Sequence, residues 1–344
     1  MKKILLIAVL FCFIVAEDEF FEPKTSLGGY GELHYDMKET NDNTGEEIGK
    51  LDFHRFIFYI KHQFSPKWSM MSEIEIEHNM VYSVGDGGYL AMEQAHLNYW
   101  NGTWGWQGGV ILVPSGIINE YHEPPTFMSV ERPEYDKYII PTTWFDNGFA
   151  FYGSMSDFNW KVAFTGDLDG DAISSSKALR SARMKGVSSS ATSWVKTIQA
   201  SWTGMEGLKV GGSMTTNDAP KDDGTSIGVT LTEFNGTYMA NNIYARMEYG
   251  MIDYTDAGDL KSSSGYYFDI GYDIGDLVGC GEESNLYIWT RLSTYSTDDD
   301  DTSTEKEISL YGVTYKPMNN LSFKFEAGTK NDDDIMRVGL GYMF

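Results

Sequence analysis

The sequence is poor in cysteine, which stabilises small exported proteins through disulfide bonds, and in the basic residues that bind nucleic acids. Its 344 residues include 2 cysteines, Cys12 and Cys280, so disulfide bonds are not expected to hold the fold together. Basic residues are also scarce, because 26 Lys and Arg stand against 50 Asp and Glu. The formal net charge of -24 excludes the basic surface that nucleic-acid binding requires. An aromatic content of 15% excludes a disordered chain.

Long apolar runs are absent apart from one N-terminal segment. Lys2 and Lys3 precede the apolar run ILLIAVLFCFIVA, which ends at Ala16 and is followed by Glu17. This run is too short to cross about 30 Å of hydrocarbon, which needs about 20 residues. Its charged start, short apolar core and small last residue predict a secretory signal peptide over residues 1–16. We expect residues 17–344 to form a single domain.

After the signal, apolar side chains recur at every second position, and no helical period is sustained. Near the C-terminus, Met336, Val338 and Leu340 alternate with Arg337 and Gly339. These segments are longer than sandwich strands and carry charges in mid-strand. A strand with lipid on one side and a watery lumen on the other needs about 9–11 residues and this alternation. The pattern predicts an all-β fold, a transmembrane antiparallel β-barrel.

The alternating segments predict about sixteen strands, enough for an aqueous channel. Tight connections such as 65–67 and 101–103 alternate with longer acidic ones such as 39–50 and 297–304. We therefore expect short periplasmic turns and longer outer loops. The strands are expected to begin near Gly28, Leu51, Trp68, Tyr89, Trp104, Asp146, Phe158, Trp194, Gly207, Thr225, Met239, Gly265, Ser284, Glu305, Asn320 and Asp334.

The third outer connection, 114–145, is the longest, and it is rich in proline and charge without a strand period. Loops of this length are usually functional, and bulky residues in this one favour packing. We expect it to fold inward and narrow the lumen. The acids of this expected pore constriction slightly outnumber its bases, which favours cations or neutral solutes. The constriction residues are His122, Glu123, Glu131, Arg132, Glu134, Asp136 and Lys137.

Several segments together resemble bacterial outer-membrane porins of the phosphate-selective porin O and P-like group. They are GGYGELHY at 28–35, LDFHRF at 51–56, NExHEPPTFxxVERPE at 119–134, IIPTTW at 139–144 and the terminal Phe344. The resemblance covers most of the chain after the signal. It implies a sixteen-stranded barrel, commonly a homotrimer, for passive diffusion of small hydrophilic solutes. The arginine and lysine arrays of the phosphate-selective members do not align residue by residue with this sequence.

Alternation also predicts which side chains line the pore. If the turn at 65–67 pairs Phe64 with Trp68, the register of the two strands places Arg55 opposite Glu77 and Tyr59 opposite Glu73. Such pairs either create a field that orients solutes or form ion pairs that stiffen the wall. The predicted pore-lining residues are Arg55, Tyr59, Lys61, Glu73, Glu75, Glu77, Arg246, Asp269, Asp273, Arg291, Lys324 and Arg337.

A second long outer connection, 167–193, carries Lys177, Arg180 and Arg183 at a spacing of three. This spacing predicts one face of a short helix, either a basic patch at the pore mouth that gathers anions or a solvated surface. The segment begins with DLDGD, as a calcium loop does. Ala172 and Ala178 stand where such a loop needs Gly and Glu, so no metal site is predicted.

The most consistent function is an outer-membrane porin for small hydrophilic solutes and ions, without a cofactor. No enzyme is predicted, because the six histidines are scattered without an HExxH motif and no serine lies in GxSxG. An anion-selective or phosphate-selective porin is the main alternative. A non-conducting structural barrel and a secreted polysaccharide-binding β-protein are the others.

Overall fold

The computed structural model describes residues 21–40, 47–78, 89–187, 189–281 and 283–344. The predicted signal peptide, residues 1–16, lies outside these ranges. In the part of the chain that is described, no helix is both long and apolar enough to cross a membrane.

Sixteen antiparallel strands form a closed barrel in which each strand pairs with its sequence neighbours and β1 also pairs with β16. The expectation of a sixteen-stranded barrel is confirmed, and each strand begins within four residues of its predicted start. Among the described strands, closure leaves none at an unpaired sheet edge, as a lipid environment demands. The strands are β1 (Lys24–Thr40), β2 (Glu47–Gln63), β3 (Trp68–Glu77), β4 (Leu90–Trp100), β5 (Trp104–Leu112), β6 (Phe145–Met155), β7 (Phe158–Thr165), β8 (Val195–Met205), β9 (Leu208–Pro220), β10 (Ser226–Ala240), β11 (Ile243–Thr255), β12 (Ser262–Asp273), β13 (Asn285–Ser296), β14 (Lys306–Met318), β15 (Leu321–Lys330) and β16 (Asp333–Met343).

The outer face of the barrel is apolar, and the inner face carries the charges. Ile198 and Leu292, on the outer face, are 61% and 53% exposed, whereas the adjoining Arg291 is 2% exposed. At the turn end of the barrel Tyr99 packs between Trp68 and Trp104 with tilted rings, whose centroids lie 4.9 Å and 5.6 Å away. Such a girdle marks the interface between lipid and water in transmembrane barrels.

A β-bulge interrupts the pairing of β3 with β4. Glu73 pairs with Gln94 and the next residue, Ile74, pairs with Met92, so Glu93 is the extra residue. Bulges change the direction in which a side chain points. Here Glu93 is fully buried inside the barrel. Gln94 also points inward, since its amide donates a hydrogen bond to Glu73.

The two ends of the barrel differ in their connections. Tight turns close one end, for example at Asn241 and Asn242, whose φ angles of 54° and 62° suit a two-residue hairpin. The connection from β5 to β6 instead folds into the barrel, as expected. It contains the short helices α1 (Ile117–Glu120) and α2 (Tyr135–Tyr138). A further short helix, α3 (Gly275–Val278), lies between β12 and β13.

The prediction of a short helix around Lys177, Arg180 and Arg183 is wrong. This segment consists of turns with an isolated bridge between Ser174 and Ala178. Ala178 has a φ angle of 46°, which a right-handed helix does not allow. The spacing of the basic residues therefore does not place them on a helical face.

The alternation of faces can be tested at two adjacent positions of β8. Ile198→Arg places a cation on the apolar outer face and is expected to destabilise the barrel by about 2–4 kcal/mol near the bilayer midplane. Gln199→Arg is the matched control, because Gln199 points inward and donates to the carboxylate of Glu120 at 2.6 Å. Urea unfolding of each variant, refolded in lipid vesicles, measures its free energy of unfolding. Equal losses in the two variants would contradict the assigned faces.

Candidate functional site

The connection 114–145, termed the inward loop, fills the middle of the barrel interior. Most of its apolar side chains are buried, including Ile118, Phe127, Tyr135, Ile139 and Trp144, whereas Tyr121 is exposed. They form one cluster with inward residues of the wall and with residues of the connection 167–193. Examples are Leu231, Tyr267 and Trp289 from the wall, and Leu168 and Leu179 from the second connection. The loop is therefore packed as a core segment of the protein.

Charged residues of β15 fix the loop on one side. The Lys324 ammonium donates to the carbonyl oxygens of Pro124 at 2.6 Å and Ser129 at 2.7 Å. The Glu326 carboxylate accepts a hydrogen bond from the backbone N–H of Val130 at 2.7 Å. Hydrogen bonds to charged groups are stronger than neutral ones, so these contacts hold the loop in one position.

Two glycines of β16 let the loop approach the wall closely. A Cβ atom at Gly339 would lie 2.8 Å from a methyl group of Val130, and one at Gly341 would collide with Pro124. The alternation of glycine with apolar residues at the end of the chain therefore forms a shallow groove for the loop.

His122 of the loop meets two glutamates of β3 and β4, four to five strands away from β15 around the barrel. Its Nε2 atom lies 3.5 Å from Glu73 Oε1 and 3.5 Å from Glu93 Oε2. All three residues are buried. Burial alone lowers the pKa of His122, but the two carboxylates outweigh burial and raise its pKa to about 10. In the absence of another cation the imidazole is therefore protonated at neutral pH.

The inward loop separates two cavities of similar size. The turn-side cavity has a volume of about 470 Å³. The loop-side cavity has a volume of about 430 Å³. The charged and histidine side chains of the turn-side cavity are Lys61, Glu73, His96, Glu120, His122, Glu123 and Lys161. Those of the loop-side cavity are His54, Glu77, His78, Glu131, Arg132, Glu134, Lys137, Arg180, Arg291 and Arg337.

The seven predicted constriction residues do not share one surface. His122 and Glu123 border the turn-side cavity. Glu131, Arg132, Glu134 and Lys137 border the loop-side cavity. Asp136 borders neither cavity and is fully buried.

The predicted pore-lining residues lie on the inner face, and the register pairs Arg55 with Glu77 and Tyr59 with Glu73, as expected. The inward loop covers many of them. Lys61, Glu77 and Arg337 remain partly or fully exposed. Those buried are Arg55, Tyr59, Glu73, Glu75, Arg246, Asp269, Asp273, Arg291 and Lys324.

The three residues predicted at the pore mouth differ in their surroundings. Lys177 is exposed, whereas Arg180 donates to the carbonyl oxygen of Thr142. Arg183 donates to the carbonyl oxygens of Pro141 at 2.9 Å and Thr143 at 2.7 Å. Burial lowers the pKa of Arg183 to about 9. Arg180 and Arg183 therefore fasten the second connection to the inward loop.

The calcium-like start of the second connection has a structural role. One carboxylate oxygen of Asp167 accepts hydrogen bonds from Ser190 and Thr192 at 2.8 Å and 2.7 Å. The other oxygen accepts one from Asn217 at 2.9 Å. Asp167 thus ties the two ends of its own connection together and to β9.

Sequence comparison identifies a similar protein but no family. No family model matches the chain. An uncharacterized protein of Aquifex aeolicus (strain VF5) is 29% identical over 353 residues, which cover 93% of this chain and 80% of that protein.

Solved outer-membrane proteins share the fold at low sequence identity. The trimer form of OmpT from Vibrio cholerae superposes with a TM-score of 0.60 at 11% identity, over 94% of this chain and 99% of that one. The outer membrane channel DcaP of Acinetobacter baumannii gives a TM-score of 0.62 at 10% identity, over 96% and 99% of the two chains. The anion-selective porin from Comamonas acidovorans gives 0.60 at 10% identity, over 94% and 100%.

Asp136 is an unusual buried acid within the inward loop. Neither of its carboxyl oxygens has a hydrogen-bond partner among the described residues. Burial raises its pKa well above the usual range, and the nearby Glu248 raises it further, although Arg291 and Arg246 oppose the shift. The folded protein therefore favours the protonated form of Asp136 more strongly than the unfolded chain does.

This protonation predicts how stability depends on pH. A carboxyl whose pKa is higher in the folded state binds more protons folded than unfolded, so its contribution to stability falls as pH rises above the usual carboxyl range. Asp136→Asn cannot ionise and is expected to flatten this decline by up to about 1.4 kcal/mol per pH unit. Urea midpoints measured from pH 5 to pH 9 test this. Asp157→Asn, at an exposed turn, is the control, and parallel curves for Asp136→Asn and wild type would contradict the assignment.

Proposed function

We propose that the protein is an outer-membrane porin that lets small hydrophilic solutes and ions diffuse passively across the membrane. The observation that carries the proposal is a closed sixteen-stranded barrel with an apolar outside and charged cavities on both sides of an inward loop. The similarity in fold to outer-membrane channels supports it.

In this proposal the inward loop controls passage. A solute enters the loop-side cavity, passes the partly exposed charged residues of the loop and leaves through the turn-side cavity. Glu131 and Glu134 face the first cavity and Glu123 faces the second, so one loop presents charge to both compartments. Packing against the wall holds the loop still, which allows it to set a size limit.

The proposal extends to location and assembly. The predicted signal peptide at residues 1–16 would export the chain, and outer-membrane lipid would surround its apolar face. A homotrimer is supported by the trimeric form of the similar OmpT. The activity is passive transport, without catalysis and without a cofactor taking part in it.

One observation favours an anion-selective porin as a second candidate. Five arginines and lysines border the loop-side cavity, although acids outnumber bases in the whole chain. Arg291 and Arg337 are paired with acids, whereas the other three have no ion-pair partner among the described residues. Arg132, Lys137 and Arg180 are cations contributed to this cavity by the two long connections. A local excess of positive charge raises the concentration of anions at a pore entrance. The phosphate-selective porins that the sequence resembles would fit this candidate.

Single-channel recording in a planar bilayer under a KCl gradient tests both proposals. The refolded mature chain is expected to give stable conductance steps with a reversal potential displaced towards chloride. Lys137→Glu removes a cation from the loop-side cavity and is expected to shift the reversal potential towards potassium.

Lys177→Glu is the matched control, because Lys177 is exposed on the second connection and does not border the cavity. Equal shifts of the reversal potential in both variants would show that general surface charge sets the ion preference. Absence of conductance from correctly folded protein would overturn the porin proposal and favour a non-conducting structural barrel.

A further inference from the structure

The contact between His122, Glu73 and Glu93 has features that an ion pair does not require. Three atoms in this cluster are buried and have no hydrogen-bond partner among the described residues: Glu73 Oε1, Glu93 Oε2 and His122 Nε2. Each of the three residues is at most 2% exposed. These three atoms converge, because the carboxylate oxygens each lie 3.5 Å from the same imidazole nitrogen.

We propose that Glu73, Glu93 and His122 bind one divalent transition-metal ion, with Zn²⁺ as the best match. All three ligand atoms lie within 4.8 Å of one another. Ligands at about 2.0–2.2 Å from a tetrahedral zinc ion are separated from each other by about 3.4 Å. The two measured separations of 3.5 Å match this value. One imidazole and two carboxylates are a ligand set that zinc accepts, with a fourth position left for water.

The polar atoms of the three side chains that do not face the proposed ion are oriented by contacts with neighbouring residues, as is usual for metal ligands. The second oxygen of Glu73 accepts a hydrogen bond from the Gln94 amide at 2.6 Å, and the second oxygen of Glu93 accepts one from the Thr143 hydroxyl. His122 Nδ1 lies 3.3 Å from the carbonyl oxygen of Asn119, where the neutral imidazole can donate. Outer contacts of this kind orient each ligand so that its free atom faces the ion.

The charge of the surrounding wall also favours a cation at this point. Glu32, Glu73, Glu75 and Glu93 are all buried on β1 to β4. Arg55 pairs with Glu32, and its Nη1 atom lies 3.9 Å from Glu75. Glu73 and Glu93 are left facing one imidazole. A divalent ion neutralises both carboxylates and takes the place of the imidazole proton, so the buried charge is fully compensated.

The ion would join three separate parts of the chain. Glu73 lies on β3, Glu93 is the bulge residue of β4, and His122 belongs to the inward loop. A metal bound here would clamp the loop to β3 and β4, in addition to the contacts that Lys324 and Glu326 of β15 make with it. This clamp goes beyond the proposed transport function, and its detection does not depend on conductance.

Metal binding by the refolded mature chain tests the proposal. The protein is stripped with a chelator and titrated with Zn²⁺, and with Co²⁺ as a spectroscopic probe. We expect one ion per chain, a visible Co²⁺ absorption of low coordination number, and a higher unfolding temperature with Zn²⁺ than with chelator. Glu93→Gln is expected to abolish the Co²⁺ absorption. Thr143→Val removes the hydrogen bond that orients Glu93 and is expected to weaken binding about 10-fold to 100-fold.

A second group of possible ligands provides the matched control. Asp52, His54 and His78 also lie close together but are more exposed. The double variant His54→Asn with His78→Asn is expected to retain the ion. Loss of binding in that variant, or equal binding by Glu93→Gln and wild type, would place the metal elsewhere and overturn the proposal.

Failure of the folded wild-type chain to take up Zn²⁺ or Co²⁺ would also overturn the metal-site proposal. The cluster of Glu73, Glu93 and His122 would then be an ion pair between a protonated imidazole and two carboxylates. Heat-modifiable migration in gels shows whether each variant is folded. If Glu93→Gln does not fold, the wild-type Co²⁺ spectrum and the Thr143→Val affinity decide the question.

Discussion

A barrel that is apolar outside must satisfy the polar groups of its inner wall from within, and here the inward loop does so. Lys324 donates to two loop carbonyl oxygens, Glu326 accepts a loop N–H group, and Arg55 reaches the carbonyl oxygen of His122 at 3.5 Å. Each buried charge left without such a partner would cost several kcal/mol. The backbone polar groups of the loop therefore solvate the charged side chains of the wall. The position of the loop follows from where those side chains lie.

The same arrangement makes the barrel interior a folded core. Apolar residues of the inward loop and of the second connection pack with Tyr267 and Trp289 of the wall. Close packing of this kind resists small displacements, because moving the loop would open cavities among buried side chains. In the proposed porin, passage would consequently be restricted to the surfaces that remain beside the loop, the two cavities with their partly exposed charges.

The sequence predicts the barrel well because lipid imposes a pattern with period two on every strand. Outward residues such as Ile198 must be apolar, and this requirement is visible without any knowledge of partners. The inward docking of 114–145 was also predictable, since its bulky residues need burial. The contacts of the loop were not predictable, because Glu73, Glu93 and His122 come from three distant segments. The bulge that turns Glu93 inward leaves no local motif. The helix expected to carry Lys177, Arg180 and Arg183 does not form, because the buried Ala178 has a φ angle of 46° and bridges to Ser174.

Net charge is a poor guide to the field inside this barrel. The chain carries a net charge of -24, yet the acids on the inner wall are largely engaged by neighbours. Asp269 holds Arg291 with two hydrogen bonds of 2.6 Å and 2.7 Å, and Glu32 holds Arg55. Paired groups present little field to a passing solute, because the two charges cancel at distances beyond their separation. In the proposed porin, a solute would therefore meet the unpaired charges at the cavity surfaces, such as Lys137, which is exposed on the inward loop. If the barrel conducts as proposed, its selectivity would be decided by which charges the loop leaves uncompensated.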